Sequence, residues 1–445
     1  MEKREHWNSN FGFIMASAGA AVGLGNLWKF PYLAGMNGGG LFLLAYLLLL
    51  GVLGIPILMA EMSVGRYTQQ NAIGAYRVIN KKWSFVGAIG ILCGFIILSY
   101  YSVVGGWVLK YLSDFVFQIV HTDPVSYFEE FVAQPVEPIL WHLLFMVITV
   151  LVVMAGVTKG IEKISKILLP ALFVLIIVLM IQALTLPGAE QGVRFFLYPD
   201  FTMVQDFQHL SHLLLQAMGQ VFFSLSLGMG TIITYGSYLK KESNIQKNAS
   251  IIPALDTLVA VFAGLLILPA VFSFGYEPQA GPGLVFQTLP KIFQAMTFGN
   301  IFGLLFFLMV LFAAVTSSIS LLEVVAAFLI DTFSLKRVTA TVLPAIFMFL
   351  IGCIASLSFG PLKDVSFFGM NFFDFLTFVS DKLLMPIGGF FMCIFVGHVW
   401  KVKNAVNEIT NNGQLRFRGE KLFSVVIRYI APAIILIVFI SSFIS

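Results

Sequence analysis

Charge is what this chain most lacks. Only 11% of its 445 residues are Asp, Glu, Lys or Arg, against 59% hydrophobic residues and a mean hydropathy of +0.93. A soluble globular domain carries about 25% charged residues and about half apolar ones. So few charges cannot cover a water-facing surface of this size, and the solvent around most of the protein is therefore lipid. Cysteine is scarce too: Cys93, Cys353 and Cys393 fall inside apolar stretches with no Cys-x-x-Cys pair, which leaves a disulfide frame and a metal cluster alike unsupported. His6, His121, His142, His209, His212 and His398 lie in loops or near the ends of apolar stretches and form no His-Glu-x-x-His arrangement, so membrane-embedded metalloenzyme chemistry has no visible group set. No Ser/Pro-rich linker or charge run divides the chain, which reads as one membrane domain over 1–445.

Apolar stretches long enough to cross a bilayer, about 20 residues each, recur throughout. They predict an all-α polytopic membrane protein with eleven spans at 10–36, 40–66, 84–119, 138–157, 161–186, 207–238, 248–275, 300–330, 338–358, 365–398 and 422–444. With residues 1–9 placed in the cytoplasm, only Lys29, Lys110, Arg194, Lys291, Lys363 and Lys382 fall outside, leaving 20 of the 26 Lys and Arg on the inner side. Short loops follow the positive-inside rule, so the N-terminus is expected inside and the C-terminus, after eleven crossings, outside. The net charge of +4 follows from that bias and points to no nucleic-acid partner. Residues 1–9 are polar, so no cleavable signal is expected and the first span anchors the chain. Asn248-Ala-Ser250 falls on the inner side, where a glycosylation sequon is accidental. Sizeable loops are expected at 120–137, 187–206, 276–299 and 399–421, the third of which has the composition of either a surface loop or a lid that folds back.

Two spans are interrupted by glycine at comparable depth: Gly19-Ala-Ala-Val-Gly23-Leu-Gly25-Asn26 in the first and Ser224-Leu-Ser226-Leu-Gly228-Met-Gly230 in the sixth. They open two five-span halves, spans 1–5 (1–186) and 6–10 (207–398), with span 11 at 422–444. Small residues alone could serve close helix packing, but corresponding interruptions in two halves also mark a midplane binding site between inverted repeats. In lipid, a broken helix leaves carbonyls and amides without partners at several kcal/mol each. Freed carbonyls suit a small hard cation, and freed amides at a half-helix start suit a carboxylate. An amino acid together with sodium answers both demands. Asp256 in span 7, Thr316-Ser317-Ser318 and Glu323 in span 8, Tyr100-Tyr101 in span 3 and Glu61 in span 2 could complete such a site. Carboxylates within a membrane are expensive and by default functional; Asp256 reads as a site residue and Glu61 as an acceptor that ties down broken backbone.

Trp7, the run Gly23-Leu-Gly-Asn-Leu-Trp-Lys-Phe-Pro-Tyr32 and Asn37-Gly-Gly-Gly40 resemble the opening of the neurotransmitter:sodium symporter family. So do Gly65-Arg66-Tyr67, Gln220-Val-Phe-Phe-Ser224-Leu-Ser-Leu-Gly228 and Thr316-Ser-Ser318. The resemblance runs in order over spans 1–10 and is to bacterial, LeuT-type members with eleven spans. It implies the LeuT fold, a 5+5 inverted repeat with spans 1 and 6 broken, and a symporter that imports hydrophobic, including aromatic, L-amino acids by alternating access. The lipid bilayer and the substrate are its expected partners, with no obligate protein partner evident, and a prokaryotic plasma (inner) membrane is its expected location.

Carried over by motif, the resemblance implies two sodium sites. The first uses the Ala21 carbonyl, Asn26, Ser224, Asp256 and the substrate carboxylate; the second uses carbonyls of Gly19, Val22 and Ala313 with the hydroxyls of Thr316 and Ser317. The carboxylate also meets the amides of Leu24 and Gly25 and the Tyr101 hydroxyl, and the ammonium meets carbonyls of Ala21, Phe223 and Ser224. Ile97, Tyr101, Phe223, Ser226, Met229, Ser317 and Leu321 form the side-chain pocket. Arg4 with Asp331, plugged by Trp7, is the implied cytoplasmic gate. Outside, Lys29 stands at the family's Arg position and Thr377 where an acidic partner is expected, which leaves Asp374, one turn earlier, as the partner. The family's chloride site maps to Tyr46, Gln220, Ser224 and Asp256; Asp256 stands where chloride-dependent members have a neutral Asn, so no chloride requirement is expected.

Span 5 adds Gly160 and, ten positions on, Pro170, which removes a helix hydrogen bond one turn back; the segment is either a static kink or a stretch that unwinds to admit water to the second ion site. Coupling is energetically sufficient. Each sodium gains about 2.3 kcal/mol per 100 mV and about 1.4 kcal/mol per tenfold gradient, so two supply roughly 7 kcal/mol, or about 10⁵-fold accumulation of a neutral solute. A membrane enzyme, a channel and a non-transporting sensor are the rival readings, and ion-driven accumulation in sealed vesicles separates them.

Overall fold

The computed structural model describes residues 5–119, 121, 123–204, 206–276 and 283–441. Among these, nine helices are long and apolar enough to cross a bilayer: Gly40–Thr68, Lys81–Val116, Glu137–Met154, Val157–Leu184, Ile245–Ser273, Gly299–Phe333, Arg337–Leu357, Phe372–Val399 and Glu420–Ser441. Asn10–Ala21 and Gly25–Met36 together form a tenth crossing, bent by 50° between the two halves. The sixth expected span is likewise divided, into Phe207–Ser224 and Thr231–Ser237. It stands outside that count, so an eleventh crossing rests on joining its two pieces.

Both breaks have local causes. The first half of span 1 ends where Val22 turns extended, at φ −72° and ψ 103°. In span 6, Ser226, Gly228 and Gly230 take φ of 54°, 75° and 73°. Glycine enters that left-handed region freely, whereas a serine there is strained. Left-handed residues at every second position cannot continue a right-handed helix, so residues 225–230 stay unwound. One amide freed by the break, that of Gly228, donates to Glu61 Oε1 at 2.8 Å. That is the backbone-tying contact expected of Glu61.

Spans 3 and 8 form the core. In each, 72% of the most apolar stretch is buried inside the protein, against 28% in span 5 and 33% in spans 4 and 11. The outer group therefore turns most of its apolar side chains, Leu144, Leu151 and Val174 among them, toward lipid. The unwound segments of spans 1 and 6 lie against the two core spans, because freed backbone in a membrane is tolerated only where protein or a cavity covers it.

The expected loops carry short helices: Pro124–Ala133, Ala189–Leu197 and Val402–Ile409. Segment 276–299, of which 277–282 lie outside the described residues, folds back as Leu284–Thr288 and Leu289–Ala295. Its Phe286 ring packs against Trp107, Tyr111 and Phe128 with centroids 5.2–5.7 Å apart. Span 10 starts at Phe372 rather than at 365, because Asn371 caps that helix by accepting from the Asp374 amide. Span 5 opens with a π-helical turn, Val157–Glu162, and then continues as one helix, Lys163–Leu184, through Pro170.

Candidate functional site

The two breaks meet between spans 3, 7 and 8. On the span 8 side, the Ser317 hydroxyl lies 3.3 Å from the carbonyls of Gly19 and Ala20 and 3.2 Å from that of Val22. One hydroxyl has one proton to give. Three carbonyls therefore converge on a donor that serves one of them, and the remainder form an electronegative cradle of oxygen atoms. Thr316 Oγ1 spends its proton on its own helix, at Phe312 or Ala313, which turns its lone pairs outward. Such an all-oxygen set suits a hard cation. Among the described residues, no three His, Cys, Asp or Glu side chains gather into a metal cluster. The structure thus brings together Gly19, Val22, Ala313, Thr316 and Ser317.

On the span 7 side, Asp256 is fully buried. Its Oδ1 accepts from Asn26 Nδ2 at 2.8 Å, and its Oδ2 accepts from Ser224 at 2.7 Å and Tyr46 at 3.2 Å. Asn26 Nδ2 also reaches Ser224 Oγ and the Asp256 carbonyl, both at 3.1 Å, while Asn26 Oδ1 accepts from the Gly23 amide. The Asn26 amide therefore presents nitrogen, not oxygen, to the carboxylate. A half-turn of that amide exchanges the two.

Between these clusters lie the residues mapped to the substrate. The Leu24 amide donates to the Tyr101 hydroxyl at 3.2 Å, and Ser226 Oγ to the Ala20 carbonyl at 3.3 Å. Ala21, Ile97, Met229 and Leu321 are buried and Phe223 is half-buried. Glycine is needed at two positions here: a side chain on Gly23 would run into Ser317 and Tyr101, and one on Gly25 into the Phe223 ring. A cleft of about 660 Å³ opens elsewhere, among Tyr32, Met36, Met203 and His212, and none of the mapped pocket residues lines it.

Each end of the site is covered. Toward the N-terminal end, Trp7 is buried among the rings of Phe13, Tyr235 and Tyr238, and its Nε1 donates to the Tyr235 carbonyl at 3.0 Å. Asp331 accepts from the backbone and side-chain nitrogens of Asn71. Arg4, its expected partner, lies outside the described residues. At the opposite end the expectation needs correcting. Lys29 pairs with Asp381 at 2.8 Å, not with Asp374, and its Nζ sits 4.5 Å over the Phe223 ring. Asp374 instead accepts from the Asn371 side chain at 2.8 Å. The physical reason is depth along span 10: Asp374 sits in its first turn, whereas Asp381, in the π-helical segment Phe378–Leu384, lies two turns further on and level with Lys29. Asp381 stands one turn beyond Thr377, and that spacing was the available signal.

Sequence reasoning also missed a network at the N-terminal end. Glu323 accepts from Tyr238 at 2.6 Å and pairs with Arg337 at 2.5 Å, and Glu5 reaches the Val157 amide at 2.6 Å. Arg66, of the Gly-Arg-Tyr motif, is buried against Glu408 at 2.7 Å.

Comparison with known proteins bears on this arrangement directly. The model of the sodium:neurotransmitter symporter family matches residues 4–124 and 130–445. The chain belongs to that family. A sodium-dependent transporter of Bacillus subtilis, YhdH, is 39% identical over 99% of this chain and 98% of its own length. The human sodium- and chloride-dependent GABA transporter 2 is 26% identical over 100% of this chain and 80% of its own length. The solved structure of MhsT in complex with L-phenylalanine matches with a TM-score of 0.91 and 42% identity, over 99% of this chain and 100% of that one. The fold is therefore the LeuT fold, and this member of the symporter family is a multi-pass, sodium-dependent membrane transporter and not an enzyme.

Proposed function

We propose that this protein imports hydrophobic L-amino acids, aromatic ones included, together with two sodium ions by alternating access. The observation that carries the reading is the Ser317 hydroxyl set among three carbonyls of broken span 1, beside a pocket lined by Ile97, Met229 and Leu321. The crystallised relative MhsT holds L-phenylalanine, which supports an amino acid with an apolar side chain. Met229 is unbranched and adaptable, so the pocket accepts both branched and flat side chains.

In this reading Ala21, Asn26, Ser224, Asp256 and the substrate carboxylate hold the first ion, and the Ser317 cradle holds the second. The substrate carboxylate displaces Tyr101 from the Leu24 amide and meets Gly25 beside it. Ligation of the first ion by the substrate makes each bind better with the other present, as linkage requires. The first repeat spans 1–186 and the second 207–398, and movement of the broken spans against the rest exposes the site alternately. Trp7, with Arg4 and Asp331, closes the cytoplasmic side, and Lys29 with Asp381 the outer side. The N-terminus is cytoplasmic on the strength of the Lys and Arg distribution, and the bacterial relative YhdH supports the plasma membrane of a prokaryote.

A sodium-dependent binding screen of the twenty amino acids on purified protein, followed by uptake into sealed vesicles, tests this. Leucine, phenylalanine or tryptophan is expected to bind in sodium and not in choline, and to accumulate only with an inward sodium gradient. Better binding of glycine, aspartate or lysine overturns the substrate class. Binding without accumulation favours a sensor instead.

A further inference from the structure

The N-terminal segment and the start of span 5 cap each other. Span 5 opens after Gly156, which has φ of 92°. Its first amide, Val157 N, has no helical partner and donates to Glu5 Oε2 at 2.6 Å. In return, Glu162, the last residue of the opening π turn, reaches the start of span 1. Its Oε2 accepts from the Asn8 amide at 2.8 Å and its Oε1 from Ser9 Oγ at 3.1 Å. Ser9 is itself the cap of span 1, accepting from the Gly12 amide at 3.0 Å. Lys166, one turn on, meets Glu162 Oε1 at 2.5 Å. Glu162 is 1% exposed, and the absence of a side chain at Gly12 makes room for its carboxylate. Glu5 also stands 3.9 Å from Arg337, the partner of Glu323.

The first amides of any helix lack partners within it, and a buried carboxylate that loses its donors is costly. If residues 5–9 swing away with Trp7, Val157 N loses its acceptor and Glu162 keeps Lys166 alone. If instead the opening turn of span 5 unravels, Glu162 withdraws and Asn8 and Ser9 lose theirs. Either motion performed singly strands groups that the other motion frees in any case.

We propose that Glu5 and Glu162 are positioning residues of the cytoplasmic gate, a reciprocal pair of caps that makes release of span 1 and loosening of span 5 one step. The second-ion cradle at Gly19, Ala20 and Val22 lies on span 1 itself, so that step controls when the ion can leave toward the cytoplasm. This rests on the reading of the N-terminal end as the cytoplasmic gate.

Hydrogen exchange on the purified full-length protein in sodium tests it, with no need for a known substrate. Glu5→Ala, at a partly exposed position, and Glu162→Gln are each compared with the native chain at residues 8–14 and 157–163, with 378–384 at the outer gate as reference. Each variant is expected to speed exchange in both inner segments by about fivefold, the usual consequence of losing one helix cap, and to leave the outer segment unchanged. Faster exchange confined to the segment that lost its own acceptor overturns the coupling, as does no change in either. Should Glu162→Gln fail to fold, Glu5→Ala decides alone, since it must loosen residues 8–14 from a distance. Amino-acid binding measured on the same native sample separates the two readings: its absence defeats the proposed function while the exchange pattern still decides the coupling.

Discussion

Ser224 gives its hydroxyl proton to Asp256 Oδ2 at 2.7 Å, and so joins the broken segment of span 6 to the carboxylate of span 7 across the membrane interior. The same carboxylate takes donors from Asn26 and Tyr46, so four spans meet on one negative charge. Removing it leaves the proposed first ion without its only charged side-chain ligand. At about 4 Å and an effective dielectric near 20, one unit charge is worth about 4 kcal/mol, or about 10³-fold in affinity. Asp256→Ala is therefore expected to abolish sodium-dependent amino-acid binding in an equilibrium assay, with Asp256→Asn retaining part of the fold but little of the sodium affinity. Native-like sodium affinity in Asp256→Ala would falsify the assignment.

Span positions and the two breaks were legible in the sequence because each is encoded locally, whereas the groupings around Asp256 and Ser317 came from the motif resemblance. Hydropathy marks the spans, glycine marks the unwound backbone, and a carboxylate inside lipid is conspicuous against it. Span 2, expected at 40–66, runs Gly40–Thr68. The partner of Lys29 was only half legible: Asp381, one turn beyond Thr377, was in view, but nothing in composition ranks it above Asp374, one turn before. The pairing of Glu162 with Asn8 and Ser9 was not legible, because their chain separation exceeds 150 residues and only folding reveals it. The direction of the Asn26 amide belongs to the hydrogen-bond network and not to the residue type.

The outer gate gives a comparison of two aspartates. Lys29 and Asp381 are 23% and 22% exposed at the side chain, so solvent screens the pair and its worth falls within the roughly 0.2–1 kcal/mol typical of such contacts. Asp381→Asn is expected to speed substrate dissociation toward the outside by about two- to fivefold, read as washout of a bound labelled amino acid. Asp374→Asn, at a side chain held by the Asn371 cap of span 10, is expected to stay close to the native rate. The reverse ranking would return the gate to Asp374.

Ser317 and Ser320 differ in what their hydroxyls meet. Ser317 Oγ faces carbonyls of span 1, while Ser320 Oγ donates to the Ser317 carbonyl of its own helix at 2.8 Å. Ser317→Ala removes one proposed ligand of the second ion, and loss of one hydrogen-bonding group to a charge commonly costs about 1.5–3 kcal/mol. The half-saturating sodium concentration for substrate binding is expected to rise about tenfold or more. Ser320→Ala is expected to leave it within about twofold. Equal effects of the two changes would mean that Ser317 serves packing alone.

A fixed carboxylate in place of chloride is the last proposed feature to test. The human GABA transporter that aligns with the whole of this chain is described as sodium- and chloride-dependent. Here the hydroxyls of Tyr46 and Ser224 both donate to Asp256 Oδ2, so the donors that would hold a mobile anion are already engaged by a fixed one. A chloride at about 4 Å from that carboxylate would meet repulsion of about 4 kcal/mol at an effective dielectric near 20, the same size as the attraction Asp256 offers a sodium ion. On the proposed reading, Asp256 supplies, as part of the chain, the negative charge that offsets the sodium charge. Replacing chloride with gluconate at constant sodium is expected to leave uptake into sealed vesicles unchanged. Asp256→Asn frees Tyr46 and Ser224 and removes the repulsion, so any sodium-dependent binding that survives in this variant is expected to require chloride. A large fall in native uptake in gluconate would show that an anion shares the site with Asp256, and the charge argument would then fail.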